Sequence, residues 1–210
     1  MIDSVIIRSF QPSDVHVVSH ILSECFFDKF HRLISLDKED ISLFLERTGF
    51  VLSQSFPGFF VAELNGEVGG ILLLKWKDQP VPPADTTAFE LIHLGLFRIL
   101  KLYVGLWLLN HAPKDKECYV DFIAVNPLYQ GRGVGSQLLS FAEEFAANNN
   151  LTSLSLYVAS QNKGAMALYT RLGFVVQKTV NSLLTRFFVG FDEWKFMSKN
   201  VDGFQADPIL

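Results

Sequence analysis

The chain has 210 residues, 49% of them hydrophobic and 19% charged, and carries a net charge of −4. That length suits one domain able to bury a sizeable core, and the negative balance argues against nucleic acid, which needs a basic face. Only two cysteines, Cys25 and Cys118, are present. Both sit in apolar periodic segments and make neither a disulfide framework nor a metal set, which fits a reducing cytoplasm. With 20 phenylalanines, the surface has room for an apolar acceptor groove or a homodimer contact.

The first residues, Met-Ile-Asp-Ser-Val-Ile-Ile-Arg, lack the basic start and long apolar core of a signal peptide. Val5 to Arg8 reads as a short strand. Pro12 then opens a helix with Asp14 in its first turn and Val15, Val18, Ile21, Leu22 and Cys25 on one face. Phe27 to Leu36, with Asp28, His31 and Arg32, is expected to be a loop. Asp37 caps a second helix whose apolar members are Ile41, Phe44 and Leu45.

Phe59 to Leu64 and Glu67 to Trp76 flank Asn65-Gly66, the strongest short hairpin signal. Asp78 to Thr87 contains Pro80, Pro82 and Pro83 and reads as an exposed connection. Ala88 to Asn110 reads as one long helix, apolar around most of its circumference. Glu90, His93, Arg98 and Lys101 interrupt it too often for a membrane span. The plain expectation is a helix packed on the sheet or on a partner subunit. A lid or an interfacial membrane contact are the sharper ones, and the sparse charge does not favour a membrane.

Cys118 to Val125 is rich in β-branched and aromatic residues, as a strand covered on both faces should be. Asn126-Pro127 breaks it, and from Val134 the apolar residues return at helical spacing. Between them lies Gln130-Gly131-Arg132-Gly133-Val134-Gly135. Its glycines permit positive φ and close approach of a ligand, and the helix start offers unpaired amides with a favourable dipole. No acid competes there, so the segment suits a phosphate or pyrophosphate, though a plain strand–helix turn would use the same residues. It is neither G-x-G-x-x-G, since Ser136 holds the third glycine's place, nor a P-loop. Asn148-Asn149-Asn150 ends the helix. Ser153 to Val158 is the next strand, Asn162 caps a short helix closed by Gly173, and Phe174 to Val180 is a strand. Asn181 to Phe191 is loop-like but apolar, Trp194 to Ser198 is a last strand, and the end of the chain is a tail.

Two of these segments resemble one family. Gln130-x-x-Gly133-x-Gly135 after an apolar strand is similar to the acyl-CoA signature of the GNAT superfamily of N-acetyltransferases. Asn162, Ala165, Tyr169 and Gly173-Phe174 resemble its second signature, N-x-x-A-x-x-x-Y-x-x-x-G-F. The opening Ile7-Arg8 with Asp14 is also similar to how such chains begin. The resemblance implies an α/β (α+β) fold with a mixed, mostly antiparallel sheet of six to seven strands flanked by helices. It also implies a single domain over 1–200 with an insertion at 78–116 and a tail at 201–210.

It further implies acetyl-CoA as acyl donor, no metal, and direct transfer to an amine within a ternary complex. The acceptor is left open between a small-molecule amine and a peptide or protein amine. A non-catalytic acyl-CoA-binding module of the same fold is the alternative. On the same resemblance the cofactor contacts are Ile123, Ala124, Val125, Gln130, Gly131, Arg132, Gly133, Val134, Gly135, Ser136, Asn162 and Tyr169. The strand is expected to splay from Ser153–Val158 so that pantetheine enters between them. Tyr169 matches the tyrosine that protonates the departing thiolate in many relatives, and its other reading is a core side chain. By alternation, Tyr119, Asp121, Ile123 and Val125 share one face. Asp121 is the candidate base, or a ligand for the substrate ammonium. Asp28, His31, Glu63 and Asp121 could supply negative charge for a cationic amine, and in the family the Phe27–Leu36 region helps line the acceptor site.

Overall fold

The computed structural model describes residues 5–48, 57–80 and 95–201. Among the described residues, seven strands form one sheet: β1 (Val5–Ser9), β2 (Phe59–Leu64), β3 (Glu67–Trp76), β4 (Glu117–Val125), β5 (Ser153–Ala159), β6 (Val175–Asn181) and β7 (Glu193–Asn200). Their order is β1-β2-β3-β4-β5-β7-β6, with only β4 and β5 parallel. Helices α1 (Val15–Cys25), α2 (Phe27–Ile34), α3 (Lys38–Thr48) and α4 (Leu96–Leu109) precede β4, and α5 (Val134–Asn148), α6 (Lys163–Arg171) and α7 (Leu183–Val189) follow it. This is the mixed, mostly antiparallel architecture expected, with α4 inserted between the third and fourth strands.

Two apolar clusters cover the two faces of the sheet. On one, Phe60, Leu72, Leu74, Cys118, Val120 and Leu156 meet Leu138, Ala142 and Tyr169 of α5 and α6. On the other, Phe59, Val61, Ile71 and Leu73 meet Val18, Ile21, Ile41, Leu45 and Leu102 of α1, α3 and α4. Gly70 lets α5 come close to the sheet: a Cβ there would meet Val134 at 3.0 Å and Leu138 at 3.1 Å. The β2–β3 turn has Asn65 at φ 52° and Gly66 at φ 87°, the two left-handed positions the hairpin needs. Arg8 holds the start of α1 by a two-point contact to Asp14, at 2.7 and 2.9 Å. Glu63 is spent on the same arginine, at 2.7 Å.

Three expectations need correction. Phe27 to Leu36 is not a loop, since its first eight residues form α2. Its helical face, Phe30, Leu33 and Ile34, is hidden in a short run between polar neighbours, and packing supplies the stability that eight residues lack alone. Asn181 to Phe191 likewise contains a helix, α7. Ser182 caps it by accepting from the Thr185 amide at 3.2 Å, and Gly190 at φ 92° ends it. A segment apolar on every side shows no period, which is why it reads as loop. The long inserted helix begins at Leu96, after Gly95 at φ 79°. Residues 88–94 of that expectation, residues 81–87 of the connection before it and the tail from 202 lie outside the described residues.

The fourth correction bears on the site. Phe122 pairs with Leu73 and Val120 with Leu74, so Asp121 is an extra residue, a β-bulge. Alternation therefore fails at Asp121. Cys118, Val120, Ile123 and Val125 pack toward α5 and α6, while Phe122 and Ala124 pack with the α1–α4 cluster. Tyr119 does not share a face with Ile123 and Val125. It is buried against His111, ring centroids 4.4 Å apart.

Candidate active site

The bulge coincides with a parting of strands. β4 and β5 pair from Glu117–Ser153 to Val120–Leu156, and the ladder stops there although both strands continue. Beyond it the facing edges of β4 and β5 have exchanged no strand hydrogen bonds, so their backbone groups need another partner. A cleft of about 380 Å³ opens at this point. Its walls include Asp121, Phe122 and Ile123 of β4, Tyr157 and Val158 of β5, and Asn162 and Tyr169 around α6. The far wall is Cys25 to Lys29 with Phe191 and Trp194.

The loop from β4 to α5 lies exposed from Gln130 to Gly133. Gly131 and Gly133 take φ of 77° and 85°, and a Cβ at Gly131 would meet nothing within 4 Å, so open space faces the loop. Val134 is buried, leaving its amide rather than its side chain for a ligand. Gly135 and Ser136 follow in the first turn of α5, where no acid is present. Arg132 lies over the Tyr129 ring at 5.5 Å. Gln130 Nε2 donates to the Val125 carbonyl at 3.0 Å, tying this loop to the end of β4. A positively biased helix start beside an open, glycine-lined turn fits a pyrophosphate. The split strands fit an amide-bearing arm such as pantetheine.

Tyr169 is 8% exposed, and among the described residues its hydroxyl has no hydrogen-bond partner. Burial pushes that hydroxyl up to about 12, so it keeps its proton. Asn162 faces the cleft and caps α6, accepting from the Ala165 amide at 3.1 Å. The Asp121 carboxylate is 3.0 Å from Lys75 Nζ. Ala124 is buried with its side chain toward the α1–α4 cluster, so only its backbone is available. Asp28 also lines the cleft. His31 does not: its Nδ1 lies 2.7 Å from the Leu36 carbonyl oxygen. Glu63 is held by Arg8 at the β1–β2 end of the sheet.

The resemblance brings the Phe27–Leu36 region to the acceptor site but misses Cys25, Phe26, Phe191 and Trp194 and does not single out Lys29. Lys29 is half-buried, 4.7 Å from the Phe26 ring centroid and 5.5 Å from that of Trp194. Burial pushes its ammonium down to about 8, against the opposing pull of Asp121. Among the described residues no carboxylate comes within ion-pair distance of it. A lysine between aromatic residues at positions 26, 27 and 30 was the available signal. Without knowing that the segment is helical, nothing in it separates Lys29 from a surface lysine. Among the described residues, no group of three His, Cys, Asp or Glu is placed to hold a metal ion.

A model of the Acetyltransferase (GNAT) family matches residues 15–174. The chain belongs to the GNAT family. Both of its GNAT signatures, Gln130–Gly135 and Asn162–Phe174, fall inside that match. It is 35% identical over 135 residues to an uncharacterized N-acetyltransferase from Methanocaldococcus jannaschii, covering 64% of this chain and 46% of that protein. With mycothiol acetyltransferase from Amycolatopsis mediterranei it shares 29% over 178 residues, 84% of this chain and 48% of that one. The chain thus spans about half the length of these curated relatives. A shorter stretch of 70 residues is 36% identical to thialysine N-epsilon-acetyltransferase from Bos taurus, 33% of this chain and 41% of that one.

Solved GNAT structures share the fold. The yncA acetyltransferase from Salmonella typhimurium, with its cofactor acetyl-CoA, superposes with a TM-score of 0.54 at 17% identity, covering 99% of both chains. Ribosomal-protein-alanine N-acetyltransferase from Brucella melitensis gives 0.55 at 18%, covering 93% of this chain and 99% of that one.

Proposed function

We propose that this GNAT chain is an acetyl-CoA-dependent N-acetyltransferase that moves an acetyl group directly from the thioester to a primary amine. The observation that carries the reading is the end of the β4–β5 ladder at Val120–Leu156, opening into a cleft that also contains Tyr169. Gln130 to Ser136 supply the amides for the pyrophosphate. Ile123, Ala124 and Val125 offer backbone groups to the pantetheine arm. Acetyl-CoA, when bound, supplies an activated acyl carbon and a thiolate leaving group.

The chain's own residues then do three things. The edge of β4 and the β5 strand hold the two reactants in one cleft, turning a bimolecular encounter into a positioned one. Tyr169, kept protonated by burial, donates its proton to the departing sulfur. Asp121 serves the amine side, binding the substrate ammonium and accepting a proton as the amine becomes a nucleophile. Phe26, Phe27, Tyr157, Phe191 and Trp194 shape the acceptor end and keep water out.

The alternative is a non-catalytic acyl-CoA-binding module, which has no need of a protonated tyrosine aimed into the cleft. The relatives' names span mycothiol, thialysine and a ribosomal-protein alanine, which supports an amine acceptor without selecting one. The test is thiol release from acetyl-CoA in the presence of small-molecule amines, lysine peptides and peptides with free N-termini. Amine-dependent release is expected. Tight acetyl-CoA binding with no turnover on any acceptor would favour the binding module.

A further inference from the structure

Helix α4 is apolar on two opposite sides. Its inner stripe, Ile99, Leu102 and Leu106, packs into the core against α2, with Gly105 closely apposed to Leu33. The outer stripe is Leu96, Leu100, Tyr103 and Trp107, spaced i, i+4, i+7, i+11. Those four are 83%, 59%, 47% and 73% exposed, and the adjoining Phe97 is 75% exposed. Helix α7 continues the surface with Leu183, Leu184 and Phe187 at 79%, 58% and 67%. Lys101 Nζ lies 5.9 Å from the Phe187 ring centroid, bridging the two helices. An exposed apolar patch of this extent marks an interaction surface.

The charged side chains of the two helices are of one sign. Arg98 and Lys101 on α4 and Arg186 on α7 are the only ionisable side chains of these two helices apart from Tyr103, and neither helix carries an acid. Arg32 of α2 packs beside Gly190 at the end of α7 and adds a fourth cation. The nearby acid, Asp192, faces Arg186 at 3.7 Å.

We propose that α4 and α7 together form an interfacial surface that docks on an anionic lipid bilayer. An apolar stripe with aromatic members and flanking cations, without acids, is the chemistry of a helix lying in the headgroup plane. Tyr103 and Trp107 are the side chains that settle at that depth. With 14 residues, α4 is too short to span, since a span needs about 20 residues. No described helix is long and apolar enough to cross a membrane. A second copy of the chain fits less well. A two-fold contact would set this cationic surface against itself, with no acid on either helix to answer it. By sequence, the sparse charge does not favour a membrane. The exposure of the outer stripe does, together with Lys101 beside Phe187 where α4 meets α7.

The surface is also placed to matter. Both helices pack on α2, whose first residues line the cleft, and α7 runs into Phe191 and Trp194 of the same wall. Docking would bring the acceptor side of the cleft toward the bilayer. The inference does not depend on the catalytic reading, because its test measures binding alone.

The experiment is sedimentation of the full chain with vesicles of phosphatidylcholine alone or mixed with phosphatidylserine, with sedimentation velocity in the absence of lipid. Expected are co-sedimentation with the anionic vesicles, weakening as salt is raised, and a loss of at least about tenfold in Phe97→Glu/Trp107→Glu and in Leu184→Glu/Phe187→Glu. These side chains are exposed, and circular dichroism checks that the variants remain folded. Absence of binding to anionic vesicles, binding equal to phosphatidylcholine alone, or unchanged binding by the folded variants would overturn the proposal. So would a lipid-indifferent dimer that the same substitutions dissociate, which would assign the surface to a second copy.

Discussion

The Asp121 carboxylate lies 3.0 Å from the Lys75 ammonium, beside the point where β4 gains one residue over β3. The bulge and the ion pair act together: the extra residue re-aims β4, and Lys75 orients the carboxylate that the bulge has displaced. Ile123 and Val125 are thereby returned to the α5–α6 face just as the β5 ladder ends. Replacing Asp121 with Asn keeps the shape but removes the charge. The expected outcome is a fall in kcat/KM of ~10²-fold or more, with acetyl-CoA affinity little changed. A folded Asp121→Asn protein with full kcat/KM would remove Asp121 from the proton path.

Tyr169→Phe keeps the ring against Phe174, whose centroid is 5.9 Å away, and deletes only the hydroxyl. It should lower kcat by ~10²–10⁴, the usual effect of a positioned acid, with calorimetric acetyl-CoA affinity intact. Because burial raises the hydroxyl to about 12, wild-type kcat should show no alkaline limb from this residue below about pH 11. Full kcat in Tyr169→Phe would reduce the tyrosine to packing.

Gly133 is at φ 85°, and it precedes the first amides of α5. Gly133→Asp adds an anion where a pyrophosphate is expected and strains the turn. Acetyl-CoA affinity should fall by more than about tenfold, and Gly133→Ala, strained but neutral, should fall less. Arg132→Ala should cost less than about 1 kcal/mol, as an exposed cation usually does. Isothermal calorimetry reads all three.

Stability should fall on the acid side through Glu117 and on the alkaline side through the buried thiols and Tyr169. Lys29, lowered to about 8, works the other way and adds stability as pH rises from about 8 toward about 10.4. Burial pushes the thiols of Cys25 and Cys118 up to about 11 and 12 and the Tyr169 hydroxyl to about 12. These groups stabilise fully below their ordinary values of about 8.5 and 10, and the contribution is lost as pH rises through the folded values. Glu117 has the opposite sign. Burial alone would raise it, but hydrogen bonds from His111, the Lys114 amide and Ser155 prevail and hold it at about 2. Its contribution is complete above about pH 4.3 and disappears toward pH 2. Thermal melts across pH should show both flanks. Glu117→Gln should cost roughly 1–3 kcal/mol at pH 7 and flatten the acid flank.

The sequence alone determined the elements that are long or punctuated. Asn65-Gly66 set the hairpin because its two left-handed positions leave few other turns. Gln130–Gly135 and Asn162–Phe174 identified the family because close backbone approach and helix capping restrict residue type at fixed spacing. Tertiary structure decided what depends on partners distant in the chain. The bulge at Asp121 exists only as a mismatch with β3, so strict alternation placed Tyr119 on the wrong face. Helices α2 and α7 are too short to hold by propensity and form because α4 packs against both. Lys29 became a cleft residue only once α2 carried it between Phe26 and Trp194. The outer stripe of α4 looked like core by composition, and only the packing of its opposite side against α2 left it facing outward.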